Sequence, residues 1–165
     1  MVIRRGKRED IDEISRVYDC AKAFMEATGN RSQWLNGYPG RALIEDDIAK
    51  GQCYVCEKDG KIHGVFAFIL GEDPTYGYIE DGSWKNDAPY GTIHRIGSDG
   101  EEKGVFAACV AFCKTLSGEL RIDTHRDNAI MQRLCAEHGF ERRGIIYIDD
   151  GTPRIAYQYS AETKE

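Results

Sequence analysis

The groups best placed to do chemistry in this chain are backbone amides. Strand character from Thr92 to Ile96 gives way to the loop Gly97-Ser98-Asp99-Gly100-Glu101-Glu102-Lys103-Gly104, and then to a helix carrying Val105, Ala108, Cys109, Phe112 and Leu116 on one face. A loop that opens a helix presents unpaired N–H groups and about half a positive charge to whatever lies over it. Phosphate is the usual occupant of such a place. A second strand, Leu120 to Thr124, and a second helix closed by His138-Gly139-Phe140 follow, so Thr92 to Phe140 has the order of a cofactor-binding half-domain. The same helix end admits another reading, because Ser98-x-x-Glu101 is a capping box and acidic first-turn residues stabilise a helix without any ligand.

Other short motifs read as structure. Cys53-x-x-Cys56 lies in a strand, where residues three apart point to opposite faces, and it has no second pair to complete a metal site. No metal or redox role is expected. His125-Arg126-Asp127 lacks the glycine-rich loop and strand lysine of a kinase, and Gly97-x-x-Gly100 is neither a Walker loop nor a dinucleotide fingerprint.

With 165 residues, 41% of them hydrophobic, the chain is expected to form one domain over 1–165 that buries roughly 70% of its unfolded surface. The 22 basic and 28 acidic residues give a net charge of -6 without a basic tract, which argues against nucleic acid and favours a cationic substrate. No apolar run reaches the roughly 20 residues of a membrane span, and the start lacks a signal-peptide stretch, so a cytoplasmic location is expected. Of the six cysteines, Cys20, Cys109, Cys113 and Cys135 fall on apolar helix faces as small core fillers.

These groups are positioned by a first strand, Ile3 to Arg5, and a helix from Glu9 to Thr28 with Ile11, Ile14, Val17, Tyr18, Ala21, Phe24 and Met25 in one stripe. After a polar, aromatic connection comes a shorter helix, Arg41 to Lys50. Cys53 to Glu57 and Ile62 to Leu70 pair across Asp59-Gly60, a strong hairpin signal. The excursion Gly71 to Gly91 is long and aromatic, and long ordered loops are often functional. Asp127 is positioned to cap the helix of Ile130, Met131, Leu134 and Cys135, and Ile145 to Ile148 and Ile155 to Tyr159 form a last hairpin. The expected class is α/β: one mixed sheet with about four helices packed on it.

This order, the loop before the third helix, and Asn128 followed at a helix end by Gly139-Phe140 resemble the GNAT superfamily of N-acetyltransferases over nearly the whole chain. The resemblance implies about seven mostly antiparallel strands in which the fourth, Thr92 to Ser98, splays from its parallel neighbour, Leu120 to Thr124. A gap of that kind leaves backbone groups for a pantetheine arm to pair with as an imitation strand. It implies acetyl-CoA as cofactor, with Ile96 and Ser98 beside the arm and Asn128 near it. The family's pyrophosphate loop, Gln/Arg-x-x-Gly-x-Gly/Ala, falls on Glu101 to Phe106; Lys103, Gly104, Val105 and Phe106 are then the contacts, and only Gly104 fits the pattern outright. Asp99, Glu101 and Glu102 would oppose a phosphate unless they turn outward. Cys135 stands where many members place a tyrosine that protonates the leaving thiolate, so the general acid is unassigned.

The implied reaction is direct attack of an amine on the thioester, with a backbone N–H near Arg95 or Ile96 stabilising the oxyanion. His94 is the first candidate base because histidine titrates near neutrality, and alternation with Arg95 turns one of the two away from the gap. Glu80 is the second candidate. In this fold type Gln33, Trp34, Tyr38, Tyr76, Tyr78 and Trp84 overhang the open end of the gap, as an acceptor pocket, a satellite core or a homodimer contact. The acceptor, a small-molecule or protein amine, is not legible. A catalytically weak CoA-binding regulatory module and a self-associating interaction domain remain open beside the enzyme.

Overall fold

Alternation in the strands and apolar stripes on the helices sort the chain into seven strands and four α-helices. A computed structural model describes residues 1–161. The elements are β1 (Val2–Arg5), α1 (Ile11–Ala27), α2 (Arg41–Ala49), β2 (Cys53–Lys58), β3 (Lys61–Leu70), β4 (Gly91–Ser98), α3 (Val105–Lys114), β5 (Glu119–Thr124), α4 (Ala129–Glu137), β6 (Glu141–Tyr147) and β7 (Pro153–Ser160). No helix of the described residues is long and apolar enough to cross a membrane.

The sheet runs β1-β2-β3-β4-β5-β7-β6 and is antiparallel except between β4 and β5. That one parallel pair is short, joining only Gly91 to Leu120 and Thr92 to Arg121. The strands therefore part directly after Thr92. Farther along, β4 carries a bulge: Gly97 pairs with Val65 and His94 with Ala67, so Arg95 and Ile96 together oppose Phe66. Arg95 adopts the left-handed region at φ 52°. A bulge bends the strand that carries it and adds twist.

Both sheet faces are covered. Ile11, Ile14, Val17 and Tyr18 of α1 and Ile44 of α2 pack on Cys53, Val55, Ile62 and Val65. On the other face Val105, Phe106, Cys109, Val110 and Cys113 of α3 and Cys135 of α4 meet Cys56, Phe66, Ile93, Leu120 and Ile122. Cys53 and Cys56 thus lie on opposite faces, as the strand reading requires, and burial pushes both thiols up to about 12. All six cysteines are free. A third cluster, with Tyr76, Tyr90, Ile146 and Ala156 buried, lies beneath the 71–91 excursion.

Several local expectations are corrected. Gly97 and Ser98 belong to β4 rather than to a loop. Ser98 accepts a hydrogen bond from the Gly100 amide within a turn, and α3 starts only at Val105, so Ser98-x-x-Glu101 is not its cap. Leu116 lies beyond α3 and is exposed, as is Phe24 at the end of the α1 stripe. The α4 cap is Asn128, not Asp127, because the Asn128 side chain is the one that reaches the Met131 amide. β6 begins at Glu141, ahead of the apolar run that marks it in sequence.

Gly64 is a tight point between the sheet and α3. A Cβ there would lie 2.5 Å from Val105 Cγ1 and 3.2 Å from Cys56 Sγ. Gly64→Ala should destabilise the protein by about 1–3 kcal/mol through overpacking. Urea unfolding checks this; unchanged stability would mean that α3 is free to shift from the sheet.

Candidate functional site

Two hollows meet where β4 and β5 part, sharing Met25, Ile96, Asn128 and Met131 as walls. The smaller, of about 290 Å³, is an apolar groove between α1, the end of β4, the start of α3 and α4. Its walls include Phe24, Ile130, Met131 and Leu134, apolar side chains that the core leaves partly uncovered.

The start of α3 opens onto this groove. Gly104 precedes the helix at φ 86°, no side chain caps it, and the first helical bond runs from the Ala108 amide to the Gly104 carbonyl at 2.9 Å. The amides of Val105, Phe106 and Ala107 come before that bond, so they have no partner within the helix. Open space surrounds the place where a Gly104 Cβ would be. The neighbouring carboxylates are held by cations, Asp99 by Arg16 at 3.3 Å, Glu101 by Lys61 at 2.9 Å and Glu102, at the groove rim, by Lys58 at 3.2 Å, and Asp99 also meets the His63 imidazole at 3.0 Å. Pairs of this kind add little stability, but they direct and offset the loop's negative charge. Lys103 is exposed and has no partner among the described residues, and it does not line the groove.

The larger hollow, of about 530 Å³, lies on the other side of the splay. Gln33, Trp34 and Tyr38 line it, with His94, Arg95 and Ile96 of β4, Asp123 of β5 and Arg154 of β7. His94 and Arg95 both border this space, since the bulge at Arg95 interrupts strand alternation. His94 Nε2 lies 2.9 Å from Asp73 Oδ2, while the other Asp73 oxygen accepts the Thr75 amide at 2.9 Å. The hydrogen bond to His94 is the main reason that the Asp73 carboxyl lies below the usual carboxylate range. Asp123 is the opposite case, pushed up by burial although Tyr76 donates to it at 2.6 Å.

Arg95 fixes the bulge from both ends. Its guanidinium pairs with the buried Asp47 of α2 at 2.8 and 3.0 Å, and its carbonyl accepts the Tyr18 hydroxyl at 2.8 Å. Gln33 ties the 31–40 connection down by accepting from Asn30, Asn128 and Thr124 at 2.9, 3.0 and 3.3 Å. Asn128 thus uses its oxygen to cap α4 and its amide to hold Gln33, on the wall that both hollows share.

Four expected residues lie elsewhere. Tyr76 is buried and supports Asp123 from beneath, and Trp84 donates to the Tyr76 carbonyl at 2.9 Å in the satellite core. Tyr78 is 62% exposed and, with Tyr147, donates to Glu80, whose backbone pairs with Ile145; neither hollow includes Tyr78 or Glu80. Conversely, Asp73, Asp123 and Arg154 escaped the sequence reading. Asp123 had a signal: it alternates with the apolar Leu120 and Ile122 in a strand, so it shares a face with Arg121.

The Asp73 shift has a stability consequence. A carboxyl lowered on folding contributes fully above its unfolded pKa, about 3.9, and loses that contribution as pH falls through the folded value. Wild type should therefore exceed Asp73→Asn in stability at pH 7, and the difference should shrink below about pH 4. Urea titrations at both pH values measure it; a pH-independent difference would show that the pairing with His94 is not its source.

Among solved structures, the chain is similar to an acetyltransferase of the GNAT family from Streptococcus agalactiae 2603, with 31% identity, 98% of this chain and 96% of that one covered, and a TM-score of 0.87. A candidate acetyltransferase from Staphylococcus aureus Mu50 is 27% identical, with 98% and 100% covered and a TM-score of 0.70. A GNAT-family acetyltransferase from Listeria monocytogenes 4b F2365, at 18% identity, 96% and 94% covered and a TM-score of 0.71, shares the fold. No family model matches the chain, and no curated protein does. Identity of 31% carried along nearly the full length of both chains, on one common fold, shows that this protein belongs to the GNAT family of acetyltransferases.

Proposed function

We propose that this protein transfers an acetyl group from acetyl-CoA to an amine held in the larger hollow. The observation that carries the reading is the parting of β4 and β5 after Thr92, directly beside an uncapped helix start. The residues present suit the cofactor. An apolar groove of about 290 Å³ matches a pantetheine arm, and the edge of β4 facing the gap, at Ile96 and Ser98, offers backbone groups to its two amides. The Val105, Phe106 and Ala107 amides, with Gly104 permitting close approach, suit the diphosphate. Lys103, exposed beside Gly104 but outside the groove lining, adds one positive charge to the neighbourhood. Asn128 shapes the passage between the two hollows rather than donating freely, since both its polar atoms are engaged.

Acetyl-CoA would supply the thioester carbonyl that the amine attacks. A β4 amide at Arg95 or Ile96 would stabilise the negative charge developing on that oxygen, an effect worth about 3–4 kcal/mol in other enzymes. His94 would accept the proton lost by the amine, oriented through Nε2 by Asp73 so that Nδ1 remains for the acceptor. Gln33, Trp34 and Tyr38 would enclose the acceptor, with Asp123 attracting its positive charge. Glu80 takes no part. Cys135 is core packing, its thiol sealed and pushed up to about 12 by burial. The acidic loop gives no support to a module without turnover, because cations hold all three carboxylates.

Two variants test the assignment. Gly104→Asp places a carboxylate some 7 Å from the diphosphate, a cost of about 2 kcal/mol at an effective dielectric of 20, so acetyl-CoA should bind about 30-fold more weakly. Calorimetry giving an unchanged affinity would remove the helix start as the diphosphate site. His94→Ala should lower kcat about 100-fold or more with little change in acetyl-CoA affinity, the size expected on losing a general base. Full turnover in a thiol-release assay would eliminate His94 from proton transfer.

A further inference from the structure

Arg154 is a buried charged group in the larger hollow that the proposed reaction leaves unused. It is 4% exposed, yet its guanidinium forms no ion pair among the described residues. Nη1 donates to the Thr152 hydroxyl at 3.1 Å and to the Pro153 carbonyl at 2.8 Å, and Nη2 reaches the Gln33 carbonyl at 3.4 Å. All three acceptors are neutral oxygens. Asp123 and Asp150 act on this guanidinium only from beyond pairing distance, so its fork is left open to an anion that enters the hollow. The contrast with Arg95 sharpens the point: on the same cavity wall, Arg95 is paired bidentately with Asp47, and Arg154 is not.

Strand register places Arg154 usefully. Asp123 pairs with Ala156, so Arg154 lies two residues farther along β7 on the face that Asp123 shares. His94, Asp123 and Arg154, from three strands, therefore border one space, which brings a proposed base, a carboxylate and a guanidinium to the same hollow.

We infer that Arg154 binds a carboxylate of the acceptor, and that the acceptor is a small amine bearing that carboxylate, an amino acid or close analogue. The inference rests on the acetyl-transfer reading of the same cavity. A guanidinium fork matches a carboxylate or a phosphate. The carboxylate is favoured because Asp73, Asp123, Asp149 and Asp150 also line the hollow and would repel a doubly charged phosphate more strongly. A protein amino terminus has no carboxylate beside its amine, and simple polyamines have none at all.

The test uses thiol release from acetyl-CoA by wild-type protein with three matched sets: free amino acids, the corresponding amino acid amides, and the corresponding decarboxylated amines. For at least one side chain the free acid should exceed both partners by about 100-fold or more in kcat/KM, since a site built around a charged hydrogen bond discriminates strongly against analogues that lack it. Phosphonate analogues should be poorer than the carboxylates. In Arg154→Gln the ratio of acid to amide should collapse toward one, and Arg154→Lys should restore part of it; should neither variant fold, the wild-type ratio decides alone. Amides or plain amines turned over as well as the acids would overturn the inference while leaving acetyl transfer intact. Preference for the phosphonates would overturn the choice of anion. Failure of acetyl-CoA to bind by calorimetry would overturn the reading beneath it, and binding without turnover of any of the three sets would overturn the assigned acceptor.

Discussion

A single left-handed residue in the middle of a strand governs the geometry of this molecule. Arg95 has φ 52°, a conformation that costs an ordinary side chain about 1–2 kcal/mol. It is held there by the buried Asp47 carboxylate of α2 on its side chain and by the Tyr18 hydroxyl of α1 on its carbonyl. Removing one partner of such a buried pair typically costs about 3–5 kcal/mol, more than the strain it restrains. The bulge bends β4 over the stretch where β5 no longer accompanies it, and it lets His94 and Arg95 border the same cavity. The helices of one sheet face thereby set the opening on which both hollows depend.

Charge is arranged around that opening with equal economy. The chain carries a net charge of -6, and three of its carboxylates sit in the very loop that precedes α3. Arg16, Lys58, Lys61 and His63 draw them off. What remains toward the groove is the helix start, with a left-handed glycine and amides that no side chain caps. In the larger hollow, on the other side of the gap, Asp73 holds an imidazole and the half-buried Asp123 accepts a tyrosine hydroxyl. One chain thus presents a weakly positive backbone pocket and an acidic cavity on either side of the same gap.

Much of this was legible in the sequence because it follows from local periodicity. The Asp59-Gly60 hairpin, the buried stripe of α1, the opposite faces of Cys53 and Cys56, and the helix-opening loop all arise from neighbours along the chain. What local patterns do not show depends on contacts distant along the chain. The acidic loop looked hostile to an anion because its cationic partners lie about 40 or more residues earlier. The aromatic excursion looked like a pocket, but Tyr76 and Trp84 satisfy a satellite core, and only pairing with β6 and β7 decides that. Arg154 and Asp123 were passed over because each is unremarkable in its own strand and meets the other only through sheet register. The bulge at Arg95 carries no sequence signature; a glycine there would have announced it, whereas here tertiary contacts impose the conformation.

The most direct test of the account is a crystal structure of the protein with coenzyme A bound. The pantetheine arm should run between β4 and β5 beyond Thr92, hydrogen-bonded along Ile96 to Ser98, with the diphosphate on the amides of Val105 to Ala107. Coenzyme A found at another surface, or β5 closed along β4 through Ser98 with the α3 start covered by side chains, would contradict it.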